Sequence, residues 1–585
     1  MLLADHERWV GMKYLVRERA IRLLMEVAWR ISEKPEFATL AAAYVLLQAV
    51  RQGAGFPLPD VKVILERKKG LPLYVRAFLE AHLVGHWQEY RHVMRACDEE
   101  SLVDFFSNEA TSMLMECRLA CSPHPLVDQL CIELLDVEKG NRVADLNCGF
   151  GRFVRTAWFA LWNAGGSDEG ISVAGFSRDS ELAALAFILC DVTGVRAKIA
   201  AQSIFVPSKE LYDRLVLIPP FGLEVRALNI PQTQRVLSAR FENFPELRLA
   251  SADWVFVARA ASLLAPGGRA VVAVPMTALN GTQGASYREF LVRKGLVASV
   301  ISIPKGYLNG TMASFALVVI QENAREVKFI NGEAYERTCG DLPALDVAAL
   351  LKDARDLNDY EAVTTRTLEE IGGNEYNLMP DFYLGENLVY NNSRPLETYV
   401  KSIRRGAKLP LRAWKAVEGG PSAPARKVAF KHLGEGVVDE DLPGLTEIPV
   451  GGAEAVLEPG DLLISRMGVP FRIAVVDARP YQMVADENVW IVRMGGDRTV
   501  AYFLRAYLES ARGARWLSRL STGAVQRTIS AKHIAKIPVP DVDERTRAEI
   551  AGELERATKL VRENRCRLGE SLAAMRNVWN MSCTE

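Results

Sequence analysis

The chain has 585 residues, with 71 basic and 72 acidic side chains and a formal net charge of −1. It is therefore no polyelectrolyte as a whole, and any nucleic-acid surface must be local. Hydrophobic residues make up 49% and charged residues 24%, which excludes a disordered chain; with no apolar run of membrane length, a membrane span is excluded too, and about three to five soluble domains are expected.

Residues 1–120 read as a helical domain. Leu15–Ile31 and Phe37–Val50 carry apolar residues at spacings of three and four, and no chemistry stands out. The extreme N-terminus shows no signal-type apolar core. The nine cysteines are scattered. Only Cys117 and Cys121 are close, and no second pair or histidine completes a metal set. Free thiols, a reducing cytoplasm and no metal are expected.

From 121 to 335 short apolar strands alternate with helices. The strands are Val143–Leu146, Ser172–Phe176, Leu215–Ile218, Arg269–Val274, Ala298–Ile303 and Ala316–Ile320. The helices are Leu126–Leu135, Phe153–Asn163, Ser180–Thr193 and Ala252–Leu264. This pattern predicts an α/β fold, a doubly wound, mostly parallel sheet. Asp145, Asn147, Gly149 and Gly151 form a loop between a strand and a helix, where two glycines let backbone approach a ligand and the helix offers its first amides. Leu215–Ile218 runs into Pro219-Pro220-Phe221. Two prolines cannot donate to a ladder, so the strand stops there and leaves an aromatic ring at the carboxyl edge of the sheet, where such folds bind ligands.

Residues 336–395 read as a connector with few long periodic stretches. Residues 396–540 read as a separate α+β domain. It is rich in Gly, Pro and short strands such as Asp461–Ser465 and Ile473–Val476, with one helix, Ala501–Leu520. Between 401 and 431 nine basic residues face one acid, Glu418. They are Lys401, Arg404, Arg405, Lys408, Arg412, Lys415, Arg426, Lys427 and Lys431, a cluster suited to phosphates. Arg466, Arg472, Arg527 and Lys532 are further candidates. Residues 541–585 hold a long helix, about 543–579. Its near-heptad apolar positions are Ile550, Leu554, Ala557, Val561, Leu568, Leu572, Met575 and Val578, which suit packing on another helix.

The loop Ile218-Pro219-Pro220-Phe221 resembles the Asn/Asp-Pro-Pro-Tyr/Phe catalytic loop of amino-methylating DNA methyltransferases. Ser122-Pro123-His124-Pro125-Leu126-Val127-Asp128 is similar to the opening of type I restriction–modification adenine methyltransferase subunits. Asp145-Leu146-Asn147-Cys148-Gly149-Phe150-Gly151 is similar to their Asp-Pro-Ala-Cys-Gly-Ser-Gly loop. Leu263–Arg269, Val300–Pro304 and Asn374–Leu378 resemble later segments, so the likeness covers about 120–385. Leu457–Arg466, Gly523–Ser530 and Ile537–Pro540 resemble half of a type I specificity subunit, a target-recognition domain followed by a spacer helix.

The resemblance implies S-adenosylmethionine as cofactor, with Asp145, Asn147, Gly149 and Gly151 around it. It implies double-stranded DNA as partner through Arg404, Arg405, Lys408, Arg412, Lys415, Arg426, Lys427, Lys431, Arg466 and Arg527. It also implies a homodimer, or docking on a helical subunit, through 543–579. Three positions depart from the pattern. Ser177 stands where the family has an acid for the cofactor ribose, with Asp179 two residues on as a candidate substitute. Gln202 stands where an acid meets the adenine amine. Ile218 stands where Asn or Asp accepts from the target amine, while Pro219, Pro220 and Phe221 are kept. Methylation of an extruded base needs those acceptors. One expectation is therefore a sequence-directed DNA-binding protein with impaired methylation, its cofactor S-adenosylmethionine either kept or lost. The alternative is an active site-specific adenine-N6 methyltransferase.

Overall fold

The computed structural model describes residues 19–54, 58–93, 97–116, 123–165, 169–247, 251–280, 284–309, 313–339, 342–356, 362–384, 392–420, 422–468, 470–521 and 528–582. The chain divides into two compact units, Met1–Leu384 and Gly385–Glu585.

The first unit opens with helices α1 (Arg19–Ile31), α2 (Pro35–Arg51), α3 (Val61–Arg67), α4 (Leu73–Leu83), α5 (Trp87–Arg91), α6 (Glu99–Asp104) and α7 (Ala110–Glu116). Helix α2 is buried along Pro35–Ala49, as expected of a helix apolar on every face. These helices are no separate module. Their core continues into Phe150, Leu185, Ile188 and Leu189 of the following layer.

That layer is a nine-stranded sheet with flanking helices. In chain order come α8 (Pro125–Leu135), β1 (Arg142–Asp145), α9 (Arg152–Gly165), β2 (Ser172–Ser177), α10 (Ser180–Val192), β3 (Lys198–Ala201), β4 (Tyr212–Leu217), α11 (Ile230–Ser238), α12 (Asp253–Ser262) and β5 (Leu264–Pro275). Then follow α13 (Ala285–Arg293), β6 (Val297–Ile303), β7 (Phe315–Gln321), β8 (Glu326–Asn331), β9 (Glu336–Cys339), β10 (Leu342–Leu345), α14 (Val347–Arg355), β11 (Val363–Thr367), α15 (Leu368–Gly373) and α16 (Pro380–Tyr383). The strand order is β11-β8-β6-β7-β5-β4-β1-β2-β3.

The sheet is mixed. β1 pairs in parallel with β2 and β4, β2 with β3, β4 with β5, and β6 with β8. β7 runs antiparallel to both β5 and β6, because the connection from β6 is too short for a crossover helix. β11 adds an antiparallel edge on β8. Residues 363–367 therefore belong to the sheet and are no part of a loose connector. Their β-branched run Val-Thr-Thr suits a pleated edge. The strand order reverses between β1 and β4, and the switch point opens at the carboxyl ends of these strands.

The second unit contains β12 (Ser393–Pro395), β13 (Ser402–Arg405), α17 (Leu411–Ala416), β14 (Glu418–Gly419), β15 (Ala425–Val428), β16 (Leu433–Gly434), β17 (Val437–Val438), β18 (Gly444–Leu445), β19 (Leu462–Ser465), β20 (Ile473–Val475), β21 (Gln482–Ala485) and β22 (Val489–Arg493). After them come α18 (Arg498–Glu509), α19 (Ala511–Arg519), α20 (Ala531–Ala535), β23 (Pro538–Pro540) and α21 (Glu544–Ser582). Two four-stranded sheets, β13-β22-β19-β20 and β14-β18-β15-β21, form its centre. The predicted single helix 501–520 is two. Ser510 is extended (φ −65°, ψ 159°) and its hydroxyl caps α19 at the Gly513 amide, 3.2 Å away. Gly513 has to be glycine, since a Cβ would lie 2.0 Å from the Tyr507 carbonyl oxygen.

Helix α21 docks on α18, and its Ala551 and Thr558 are buried. Of the expected seam, Leu554 and Val561 are half-buried and Ala557 is exposed. Ile550 and Leu568 are 37% and 60% exposed, and the side chains of Leu572, Met575 and Val578 lie outside the described residues. Polar grips also set the register. Arg505 Nη1 donates to Thr558 Oγ1 (2.6 Å), Arg562 Nε to Glu440 (2.8 Å) and Arg565 Nη1 to Asp439 (3.1 Å). Among the described residues no helix is long and apolar enough to cross a membrane.

Candidate functional site

The switch point holds a cavity of about 200 Å3, lined in part by Asp145, Asn147, Gly149, Ile218 and Pro220. The β1 end is tied on both sides. The Leu146 amide donates to Val216 O (2.9 Å) and the Cys148 amide to Phe176 O (2.8 Å). Gly149 and Gly151 carry φ values of +51° and +80°. A Cβ on Gly151 would meet Ala186 Cβ at 3.0 Å, so glycine there lets the loop lie against α10.

Asp145 is buried, and its carboxylate accepts from the Asn147 amide at 3.0 Å. Burial pushes its carboxyl up to about 7, with the Asn147 amide working the other way, Asp128 adding to the rise and Arg152 opposing it. The Asn147 side-chain amide donates to the Ile218 carbonyl at 2.7 Å. The cofactor-type loop and the Pro-Pro loop are thereby joined.

Ile218 is 9% exposed and belongs to the apolar cluster behind the cavity. Pro219 is buried and Pro220 exposed. Phe221 is half-buried and packs on Phe315, ring centroids 5.9 Å apart. The loop is held from behind by Asp253. Its Oδ1 accepts from the Gly222 amide (3.2 Å) and its Oδ2 from Ser251 Oγ (2.5 Å). Burial raises the Asp253 carboxyl above the usual carboxylate range.

The other expected cofactor contacts are not gathered at this cavity. Ser177 is buried, and its hydroxyl donates to the Asp179 carbonyl oxygen (3.0 Å). Asp179 is the N-cap of α10; its Oδ1 accepts from the amides of Glu181 (2.9 Å) and Leu182 (3.2 Å). Its carboxylate has a structural task, because helix starts leave amides unsatisfied, and this argues against the ribose-acid substitution. Gln202 is exposed on a second hollow of about 300 Å3, beside Leu146 and Phe176.

Two residues outside the expected set, Arg152 and Asp128, also line the cavity. Arg152, at the first turn of α9, places Nε 2.5 Å from Asp128 Oδ2 and Nη1 3.2 Å from Met115 Sδ, and Nη2 also donates to the Pro123 carbonyl. Asp128 is 4% exposed. An arginine directly after the Gly-x-Gly loop and an acid in the first turn of α8 were the signals that could have found them. Phe150, between Gly149 and Gly151, is buried against the N-terminal helices. Among the described residues no group of three or more His, Cys, Asp or Glu is placed to hold a metal.

In the second unit the basic set separates into two kinds. Arg404, Lys408, Arg412, Lys415 and Lys431 are exposed. Arg426 is not a surface charge. It is 8% exposed, donates to the Ala423 carbonyl (2.6 Å) and lies over Tyr481. It closes a turn instead of meeting phosphate. Arg405 is paired with Glu487 at 2.9 Å, Lys427 lies over Trp414 and Arg466 reaches Asn488 at 3.4 Å. Arg527 lies outside the described residues. The Leu457–Arg466 segment is built around Asp461, 2% exposed, which takes Arg493 bidentately at 3.0 and 2.9 Å.

Residues 122–390 match the family described as N-6 DNA Methylase. Among solved structures, the chain is similar to the type I restriction-modification system methyltransferase subunit from Streptococcus thermophilus. Identity there is 14%, over 66% of this chain and 96% of that one, with a TM-score of 0.47. It is also similar to the type IIG restriction endonuclease BpuSI, at 13% identity over 92% and 74% of the two chains, TM-score 0.46. DrdV, solved with DNA, gives 10% identity over 94% and 72%, TM-score 0.47. No curated protein matches the chain.

Proposed function

We propose that this chain, whose residues 122–390 match the N-6 DNA methylase family, is a sequence-directed DNA-binding protein of the type I restriction–modification kind with impaired adenine-N6 methylation. The observation that carries the reading is Ile218. Methyl transfer to an exocyclic amine needs an extruded base whose amine is held by acceptors. Here a hydrocarbon side chain packed in the core stands at the acceptor position, and the Ile218 carbonyl already accepts from Asn147 at 2.7 Å. Losing one such polar contact to a transition state costs about 10²–10³ in rate. Ser177 and Gln202 remove two further acids from the expected cofactor contacts.

DNA binding is assigned to residues 396–540, with Arg404, Lys408, Arg412, Lys415 and Lys431 as phosphate contacts. One recognition domain reads one half-site. Two half-sites require a second copy or a helical subunit, for which α21 offers the exposed Ile550, Leu560 and Leu568.

The test pairs enrichment of bound duplexes from a random library with transfer of labelled methyl from S-adenosylmethionine to the enriched DNA. A recovered sequence without label supports the reading. Label on adenine at ordinary turnover establishes the alternative, an active site-specific methyltransferase. No enrichment even at low salt removes the DNA-binding half.

A further inference from the structure

The cavity at the switch point is where the family's cofactor would sit, and what lines it does not suit that cofactor. S-adenosylmethionine carries a sulfonium and an ammonium, so its site has to supply negative charge and room. Acidic groups are present. Asp128 and Asp145 are 4% and 6% exposed and both line the cavity. The positive charge is also present, and it is covalently part of the chain. The Arg152 guanidinium is held by three groups from the neighbouring elements: the Asp128 carboxylate at 2.5 Å, the Met115 sulfur at 3.2 Å and the Pro123 carbonyl. Its side chain is only 13% exposed. The space left over, about 200 Å3, is below the roughly 300–1,000 Å3 of pockets that bury a drug-sized ligand.

We infer that Arg152 is a built-in occupant that takes the place of the cationic head of S-adenosylmethionine and closes the pocket to it. A cationic ligand could enter only by moving the guanidinium off Asp128. That leaves a buried carboxylate to be satisfied by the newcomer, with no net gain of an ion pair. A guanidinium on a carboxylate is a charge-assisted, preorganised contact, and a free ligand has to pay for its own immobilisation as well. The neighbouring Phe150 adds bulk on the same wall. The inference deepens the proposed function, since it rests on this cavity being the remnant of a methylase cofactor site.

The experiment titrates S-adenosylmethionine and adenosine by calorimetry into the full chain and into Arg152→Ala and Arg152→Met. Arg152→Ala removes charge and volume; Arg152→Met removes charge alone and keeps a long side chain. Wild type is expected to give no binding at about 1 mM S-adenosylmethionine, and Arg152→Ala to bind it at least about tenfold more tightly than wild type. Adenosine, which lacks the cationic head, is expected to change by less than about threefold. Arg152→Met is expected to fall between wild type and Arg152→Ala for S-adenosylmethionine.

Micromolar binding by wild type overturns the inference, as does an Arg152→Ala that melts cooperatively and titrates like wild type. Should Arg152→Ala fail to fold with Asp128 left unpaired, Asp128→Asn is added to it. The double variant is then expected to gain affinity through the opened volume, and no gain overturns the inference. Methyl transfer to DNA by wild type would remove the impaired-methylation reading itself. Absence of transfer together with no gain in any variant would remove only the role of Arg152.

Discussion

Asp145 offers the sharpest quantitative test of the site. Its carboxyl is 6% exposed and is pushed by burial from an ordinary value of 3.8 to about 7. In the unfolded chain the group ionises near 4, so between about pH 4 and pH 7 the folded state holds a proton that the unfolded chain has released. Stability therefore falls as pH rises through this window and stays low above it. A gap of about three pH units at 1.36 kcal/mol each amounts to about 4 kcal/mol. Asp128 is buried beside it and its carboxyl is raised as well, so the two titrate together and about 2–4 kcal/mol is the expected range for Asp145 alone. Asp145→Asn keeps the shape and an oxygen that can accept from the Asn147 amide, and it removes the charge. Urea unfolding followed by tryptophan fluorescence at about pH 5, 6, 7 and 8 reads the result, taking the transition of the first unit, because a two-unit chain need not unfold in one step. The midpoint advantage of Asp145→Asn over wild type should grow from about pH 5 to about pH 7 and level off by about pH 8. An advantage that stays flat across that range, or shrinks, would refute the burial argument.

Other perturbations report on the second unit and on the division between structural and contacting arginines. Asp461→Ala leaves Arg493 with only Glu458 and the Val456 carbonyl and should cost about 1–3 kcal/mol, seen as a lowered urea midpoint for that unit. Replacing Lys408, Arg412 and Lys415 together by Ala should leave the melting temperature nearly unchanged and reduce the slope of log Kobs against log salt by about 2–3 in DNA binding. Arg426→Ala should do the reverse, lowering the melting temperature with little change in that slope, since its guanidinium serves Ala423 and Tyr481. Gly513→Ala puts a Cβ against the Tyr507 carbonyl and should cost about 1–3 kcal/mol, read by thermal unfolding.

Much of this was legible because it follows from short-range chemistry. Pro219-Pro220 ends a strand whatever surrounds it, and Gly149 and Gly151 sit at positive φ because the turn and the approach to α10 demand it. The α/β alternation likewise announces parallel strands and a switch point. The antiparallel β7 and the edge strand β11 were less visible, since a strand's direction is set by which neighbour it reaches and not by its own residues. Single-residue roles were the least visible. Asp179 reads as a candidate ligand on charge and position, and only the folded start of α10 turns it into a cap. Arg426 and Lys408 look alike in a cluster of basic residues, and only the turn at Ala423 separates a buried brace from a free charge.

Packing also bears on the proposed impairment of methyl transfer. Ile218 is apolar and belongs to the core behind the cavity, so an Asn or Asp there would place a polar group beside Val216 and the other members of that cluster. Ile218→Asn alone would therefore meet a packing cost as well as supply an acceptor, and it would leave Arg152 across the proposed cofactor side of the same cavity. Two independent obstacles on one cavity make recovery by any single substitution small. The pair Ile218→Asn with Arg152→Gly, assayed for labelled methyl transfer, should exceed the sum of the two single variants, because acceptor and cofactor space are both required in one transition state. Equal, additive gains from the singles would mean that the two loops, though joined through Asn147, do not serve one reaction centre.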